Sequence, residues 1–321
     1  MTEEILSIKK TPKVFRKKTI MALPQMLKEA FRLLSKNDPL RMAGATAFFT
    51  SFALPPILII LIQVLGLVFN KKRISRNLFE GLTGIIEKEG TQQVVSTLRA
   101  FRKLADNWII TIAGFLFLVF VATTLFKVIK DSINQLWKIK VVKRKTLRLT
   151  MRGRLQSFML IVMAGVLVIP GLFLTAAQAF LETYLSEISP ALSFYFNSGL
   201  NYLVSVVIVM LWFAILFRYL PDGRPTWKVA LTGALLTSLL FNTGKFILHW
   251  LLLNGNIQEL YGSSGSVVVL LLFVFYSSLI LYFGVSFTKV WSGWVLSPIK
   301  PLSHAVRYKI SEIPDDDEVK K

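Results

Sequence analysis

Cysteine is missing from this chain altogether, which excludes a disulfide framework, a thiolate metal site and a cysteine nucleophile. Carboxylates are missing where they would matter most. Six long apolar runs, 43–69, 108–126, 155–180, 200–217, 229–253 and 266–291, contain no Asp or Glu, so proton coupling through an intramembrane carboxylate is unsupported. The loops hold no HExxH, CxxC or GxSxG element and no GxxxxGK-Ser/Thr phosphate loop. With only two histidines, His249 and His304, the clustered ligands of a metal-dependent nuclease are lacking as well. The expectation is a protein that is not an enzyme, with no cofactor and no metal.

What the chain has instead is apolar length. Hydrophobic residues make up 54% of it, charged residues 17%, and the mean hydropathy is +0.57. Each run is near or above the roughly 20 residues a helix needs to cross about 30 Å of hydrocarbon. Backbone groups in lipid have no water to bond, so such runs cross as helices. The fold expected is all-α and polytopic, six transmembrane helices in one bundle. No cleavable signal peptide is expected, because residues 1–42 hold ten Lys or Arg and no apolar core; the first span is expected to target the chain and stay in place.

The basic residues set the orientation. There are ten before position 43, eight in 70–107, ten in 127–154, none in 181–199, three in 218–228, none in 254–265 and six after 286. Alternate loops are rich and empty, so the positive-inside rule assigns both termini and the second and fourth loops to the cytoplasm. The first loop is the exception; four of its charges, Lys71, Lys72, Arg73 and Arg76, crowd the end of the first span. Its apolar residues, Leu78 through Ile85, Val94, Leu98, Phe101 and Leu104, recur at helical spacing, which predicts one or two amphipathic helices lying on the outer membrane surface or capping the bundle. The segments are then a basic cytoplasmic region 1–42, a membrane domain 43–291 and a charged cytoplasmic tail 292–321. A net charge of +20 placed this way matches membrane topology and anionic headgroups, so no nucleic-acid partner is expected.

Few residues inside the spans carry chemistry. Lys245 is the one Lys or Arg well inside a run, and such a residue is a candidate for binding an anionic headgroup; snorkelling to an interface is the alternative. His249, four residues on, shares its helix face and is either a cavity lining or a packed, hydrogen-bonded side chain. Tyr261, Gly262 and Gly265 open the sixth span, where free backbone N–H groups receive an anion or Ser264 or Ser266 simply caps the helix. Arg41 with Asp38, and Arg218 with Asp222 and Arg224, sit at cytoplasmic mouths, as gating ion pairs or as headgroup anchors. Asn134 and Trp137, past the second span, read as an interfacial cap and a belt residue, and His304 as ordinary juxtamembrane surface. Pro55-Pro56 and Pro170-Gly171 interrupt the helical ladder and predict local kinks.

Several signatures in order resemble the YihY/BrkB family of bacterial inner-membrane proteins, once labelled ribonuclease BN. They are Asp38-Pro39-Leu40-Arg41-Met42-Ala43-Gly44-Ala45-Thr46, Ile133-Asn134-Gln135-Leu136-Trp137, Arg218-Tyr219-Leu220-Pro221, Gly233-Ala234, Gly244-Lys245, Tyr261-Gly262-Ser263-Ser264-Gly265 and Phe275-Tyr276-Ser277-Ser278. The resemblance covers roughly 31–291. It departs at Gly284-Val285-Ser286-Phe287-Thr288, where the family pattern has Glu in place of Ser286. The resemblance implies a six-helix inner-membrane bundle with a role in envelope integrity, and it implies that the ribonuclease label is a misassignment. The function expected is non-catalytic handling of a lipid or amphipathic anion, with membrane lipids, anionic phospholipid among them, as partners. A scaffold in envelope assembly with an envelope-spanning protein partner is the alternative, and a ribonuclease a distant third.

Overall fold

The computed structural model describes residues 22–65, 108–142, 190–254 and 265–309, with isolated positions between 75 and 96, at 159–163 and at 261. Most of the run 155–180 and of the loop 70–107, Gly262 and the chain ends lie outside the described residues. Among the described residues the helices are α1 (Leu23–Ser35), α2 (Pro39–Leu65), α3 (Trp108–Trp137), α4 (Pro190–Tyr219), α5 (Trp227–Asn254) and α6 (Gly265–Trp294). Stretches of α4, α5 and α6, Tyr202–Tyr219, Trp227–Leu248 and Val267–Trp294, are long and apolar enough to cross a membrane. Their 18, 22 and 28 residues span about 27, 33 and 42 Å at ~1.5 Å per residue, enough for the hydrocarbon layer.

The basic region before the first run is not featureless. Met26, Ala30 and Leu34, spaced four apart, form one buried face of α1, while Lys28, Arg32 and Lys36 stay exposed. That face packs Met26 and Ala30 on Phe287 of α6, and the Trp294 indole donates to Glu29 at 3.2 Å. Two other helices outrun the apolar stretches that predict them. α3 continues from Phe126 to Trp137 because Ile129, Ile133, Leu136 and Trp137 keep the inward spacing after the first lysine. α4 starts at Pro190, inside the span expected as a loop; proline suits a first helical position, where its missing N–H is no loss. α2 runs on through Pro55-Pro56. Leu78 and Val94, from the loop expected to be amphipathic, are buried against the bundle.

α6 is the hub, touching α1, α2, α3 and α5, while α4 lies along α5 and α2 along α3. The α5–α6 crossing is built from two reciprocal glycine–threonine contacts. A Cβ on Gly233 would overlap Thr288 Oγ1, and a Cβ on Gly284 would overlap Thr237 Oγ1. Each threonine hydroxyl donates to a carbonyl one turn back on its own helix, Thr237 to Gly233 and Thr288 to Gly284, both at 2.7 Å. The hydroxyls are thus satisfied in an apolar setting while the backbones approach closely. Thr46 Oγ1, which donates to Met42 O, also meets Tyr282 OH at 2.5 Å and ties α2 to α6.

Two small ribbons close one end of the bundle. β1 (Ile139–Val141) pairs antiparallel with β4 (Ala305–Arg307), Lys140 opposite Val306, and β2 (Gly223–Arg224) pairs with β3 (Lys300–Pro301), Gly223 opposite Pro301. The first part of the expected charged tail is therefore an ordered strap across the α3 and α4 exits. Gly223 sits where a side chain would collide with Ile139, Ile299 and Trp137, so only glycine lets the ribbons close over the core.

Candidate functional site

Under those ribbons lies a buried carboxylate. α4 ends just before Leu220-Pro221, since a residue preceding proline avoids helical geometry, and the turn drops Asp222 into the interior at 1% exposure. Lys130 and Asn134, one turn apart on α3, face it together. Lys130 Nζ lies 2.8 Å from Asp222 Oδ1, and Asn134 Nδ2 donates to Oδ2 at 2.8 Å. The Asn134 carbonyl in turn accepts the Asp222 backbone N–H at 2.9 Å. The fourth group comes from the tail, with His304 Nε2 2.9 Å from Oδ1. The strap is fixed by Leu302 N–H to Asp222 O and Val142 N–H to His304 O. Burial by itself raises the Asp222 carboxyl, but the Lys130 ammonium, with His304 and Asn134, overcomes it and holds the group below the ordinary carboxylate range.

The neighbouring end of α3 is fastened to α6. The Trp137 indole, fully buried, donates to Val285 O at 3.0 Å, and Lys289 Nζ donates to Trp137 O at 3.3 Å, a cation on the negative end of the helix. Ser286 is fully buried one turn past Tyr282, and its Oγ has no hydrogen-bond partner among the described residues.

Lys245 of α5 is half-buried. On one flank Asn242 accepts a hydrogen bond from Ser205 of α4 at 2.8 Å; on the other, Gly244 lies against the Tyr276 ring of α6, whose hydroxyl donates to Phe241 O at 2.8 Å. Among the described residues no carboxylate pairs with Lys245 and no hydrogen bond engages it. It stands 18 residues after Trp227 and nine before Asn254, or about 27 Å and 14 Å along the helix.

The other sequence candidates scatter. Arg41 is exposed, 3.8 Å from Asp38 and 3.4 Å from Gln135 Oε1. Asn134 is no interfacial cap: it is buried within α3 because α3 outlasts its apolar run. The pairing of Asp222 with Arg218 or Arg224 does not occur; Asp222 turns inward to Lys130. Nor is His304 ordinary surface. Tyr261 is exposed, Gly265 is the buried first residue of α6, Gly262 lies outside the described residues, and so does the His249 side chain on α5. Lys130 and the role of Asp222 escaped the sequence reading. The available signal was that Asp222 is the one acidic residue between Glu187 and Glu259. Among the described residues no three His, Asp or Glu converge as metal ligands.

The chain is similar to membrane proteins from several bacteria. It is 27% identical to a UPF0761 membrane protein of Chromobacterium violaceum over 271 residues, 82% of this chain and 61% of that one. It is 24% identical to UPF0761 membrane proteins of Stenotrophomonas maltophilia, covering 80% of this chain and 58% of the relative, and of Tolumonas auensis, covering 80% and 82%. The chain thus spans about three fifths of the length of the first two relatives. No solved structure matches it. The family model described as virulence factor BrkB matches residues 30–297, and with apolar helices of membrane-crossing length the chain belongs to that family as one of its membrane proteins.

Proposed function

We propose that this protein is a six-span protein of the bacterial inner membrane, with both termini cytoplasmic, and that it handles a lipid or amphipathic anion without catalysing a reaction. The observation that carries the proposal is Lys245. A basic group within a span costs a few kcal/mol to insert, and it is retained where it meets an anion or water. Here it is half-buried on α5, four residues past Phe241, whose ring meets Phe213 of α4 and Phe273 of α6, and the six apolar runs offer no carboxylate to neutralise it. An anionic headgroup entering between these helices supplies the missing charge. Lys245→Met should abolish complementation of a deletion strain, and reduce the anionic lipid retained by the purified protein in native mass spectrometry, while membrane insertion is unchanged. Lys245→Arg should retain part of both, since it keeps the charge on a bulkier planar group. A Met variant that complements fully removes the charge from the mechanism and leaves the scaffold reading.

The orientation rests on the basic loops, which favour a cytoplasmic β1 ribbon. Because the chain lacks cysteine, single cysteines at Lys140 and Glu187 report cleanly. An impermeant thiol reagent should label position 187 in intact cells and spare 140; the reverse pattern inverts the topology.

A further inference from the structure

The corner between α4 and α5 gathers two guanidinium groups that no carboxylate neutralises among the described residues. Arg218 is in the last turn of α4 and Arg224 in β2, with Asp222 between them in sequence, yet Asp222 is engaged by Lys130 and His304. Two aromatic rings hold the pair. The Arg218 guanidinium carbon lies 4.7 Å from the Trp227 ring centre and 6.0 Å from that of Tyr219; the Arg224 carbon lies 5.2 Å from Tyr219. The rings themselves meet edge to face at 6.0 Å. A guanidinium carries five N–H donors. Arg218 Nη1 donates to Pro225 O, and no other hydrogen bond from either guanidinium is made among the described residues; the Nε atoms of both are buried without a partner. These ring contacts engage none of the guanidinium N–H donors.

We infer that this corner binds a phosphate-type oxyanion. Two planar guanidinium forks suit a group with several oxygens better than ammonium point charges do. Trp227 is 45% exposed at the start of an apolar span, where an indole lies at headgroup level. The oxyanion therefore comes from either a lipid phosphodiester or free phosphate. The inference stands apart from the role given to Lys245, which lies about 27 Å away along α5.

The full-length protein, purified in a neutral detergent, is titrated by calorimetry with dihexanoylphosphatidylglycerol and, separately, with inorganic phosphate. Arg224→Gln should weaken binding about tenfold or more, the worth of a charge-assisted hydrogen bond. Arg224→Lys should fall between, since it keeps the charge and loses the fork, and it serves as the test if the Gln variant does not fold. Lys228→Gln, an exposed cation four residues on, should change affinity less than about twofold. Lipid binding without phosphate binding assigns the headgroup as the source, and mutual competition assigns the oxyanion generally; both support the site. Unchanged affinity of both Arg224 variants for both probes, an equal loss in Lys228→Gln, or no binding of either probe to the parent protein overturns it.

Discussion

Neutralising Asp222 tests whether the buried cluster is a coupled unit or a set of independent contacts. Asp222→Asn keeps the shape but leaves the Lys130 ammonium without its counter-charge, and its amide NH2 must face donors from Asn134 or from Lys130 and His304. Removing one partner of a buried pair costs about 3–5 kcal/mol. Lys130 keeps 22% of its side chain exposed and regains some hydration, so the lower end applies, about 3 kcal/mol. Lys130→Met strands the carboxylate, which is 2% exposed, and should cost at least as much. The double variant holds no uncompensated charge and should cost far less than the sum, with a coupling of roughly 2–3 kcal/mol. At about 1.5 °C per kcal/mol for a chain of 321 residues, each single variant lowers the apparent Tm of the detergent-purified protein by roughly 4–5 °C at a fixed scan rate. The pH dependence follows from the lowered Asp222 value. Its stabilisation is present above the unfolded carboxyl pKa of about 4 and is lost as pH falls through the lower folded value. The parent should therefore lose Tm at acid pH more steeply than Asp222→Asn. Single variants that shift Tm by less than about 2 °C, or a strictly additive double variant, would refute the coupled cluster.

Two further predictions concern backbone geometry. Gly284→Ala places a methyl against Thr237 and should destabilise by about 1–3 kcal/mol; adding Thr237→Ala removes the struck hydroxyl and should recover part of the loss in the same thermal assay. Leu296, 65% exposed, holds φ 50° at the end of α6, where Leu296 N–H bonds Gly293 O and Ser297 N–H bonds Ser292 O, the arrangement that favours Gly or Asn. Leu296→Asn should raise stability by up to about 1 kcal/mol, and a lower Tm would show that the leucine side chain contributes more than its strain costs.

The membrane helices were legible because length and apolarity are local properties. α6 begins one residue before its run and ends three after it. α3 outlasts its apolar run because Lys127 ends the run while Ile129, Ile133 and Leu136 carry the helical spacing on. α1 was missed for a related reason: its mean polarity is that of a loop, and only the four-residue period of Met26, Ala30 and Leu34 reveals it. The ribbons were beyond reading, since Gly223-Arg224 and Lys300-Pro301 are too short to show alternation, and their pairing depends on where α4 and α6 deliver them.

The charged cluster shows why a site is harder to read than a fold. Arg218 and Arg224 are four and two residues from Asp222, whereas Lys130 and His304 are 92 and 82 away, so sequence proximity pointed to the wrong cations. Proximity along the chain fails here because the two arginines have aromatic neighbours of their own. Trp227 and Tyr219 lie against the two guanidinium groups, and a weakly hydrated flat cation loses little there. Asp222, forced inward by the turn at Pro221, must find donors where it is buried, and the turn of α3 carrying Lys130 and Asn134 supplies them. The same separation that stabilises the carboxylate leaves the arginines unneutralised, so the inner cluster and the outer anion site follow from one backbone turn. A variant that drew Asp222 outward, such as Pro221→Gly, should therefore weaken both.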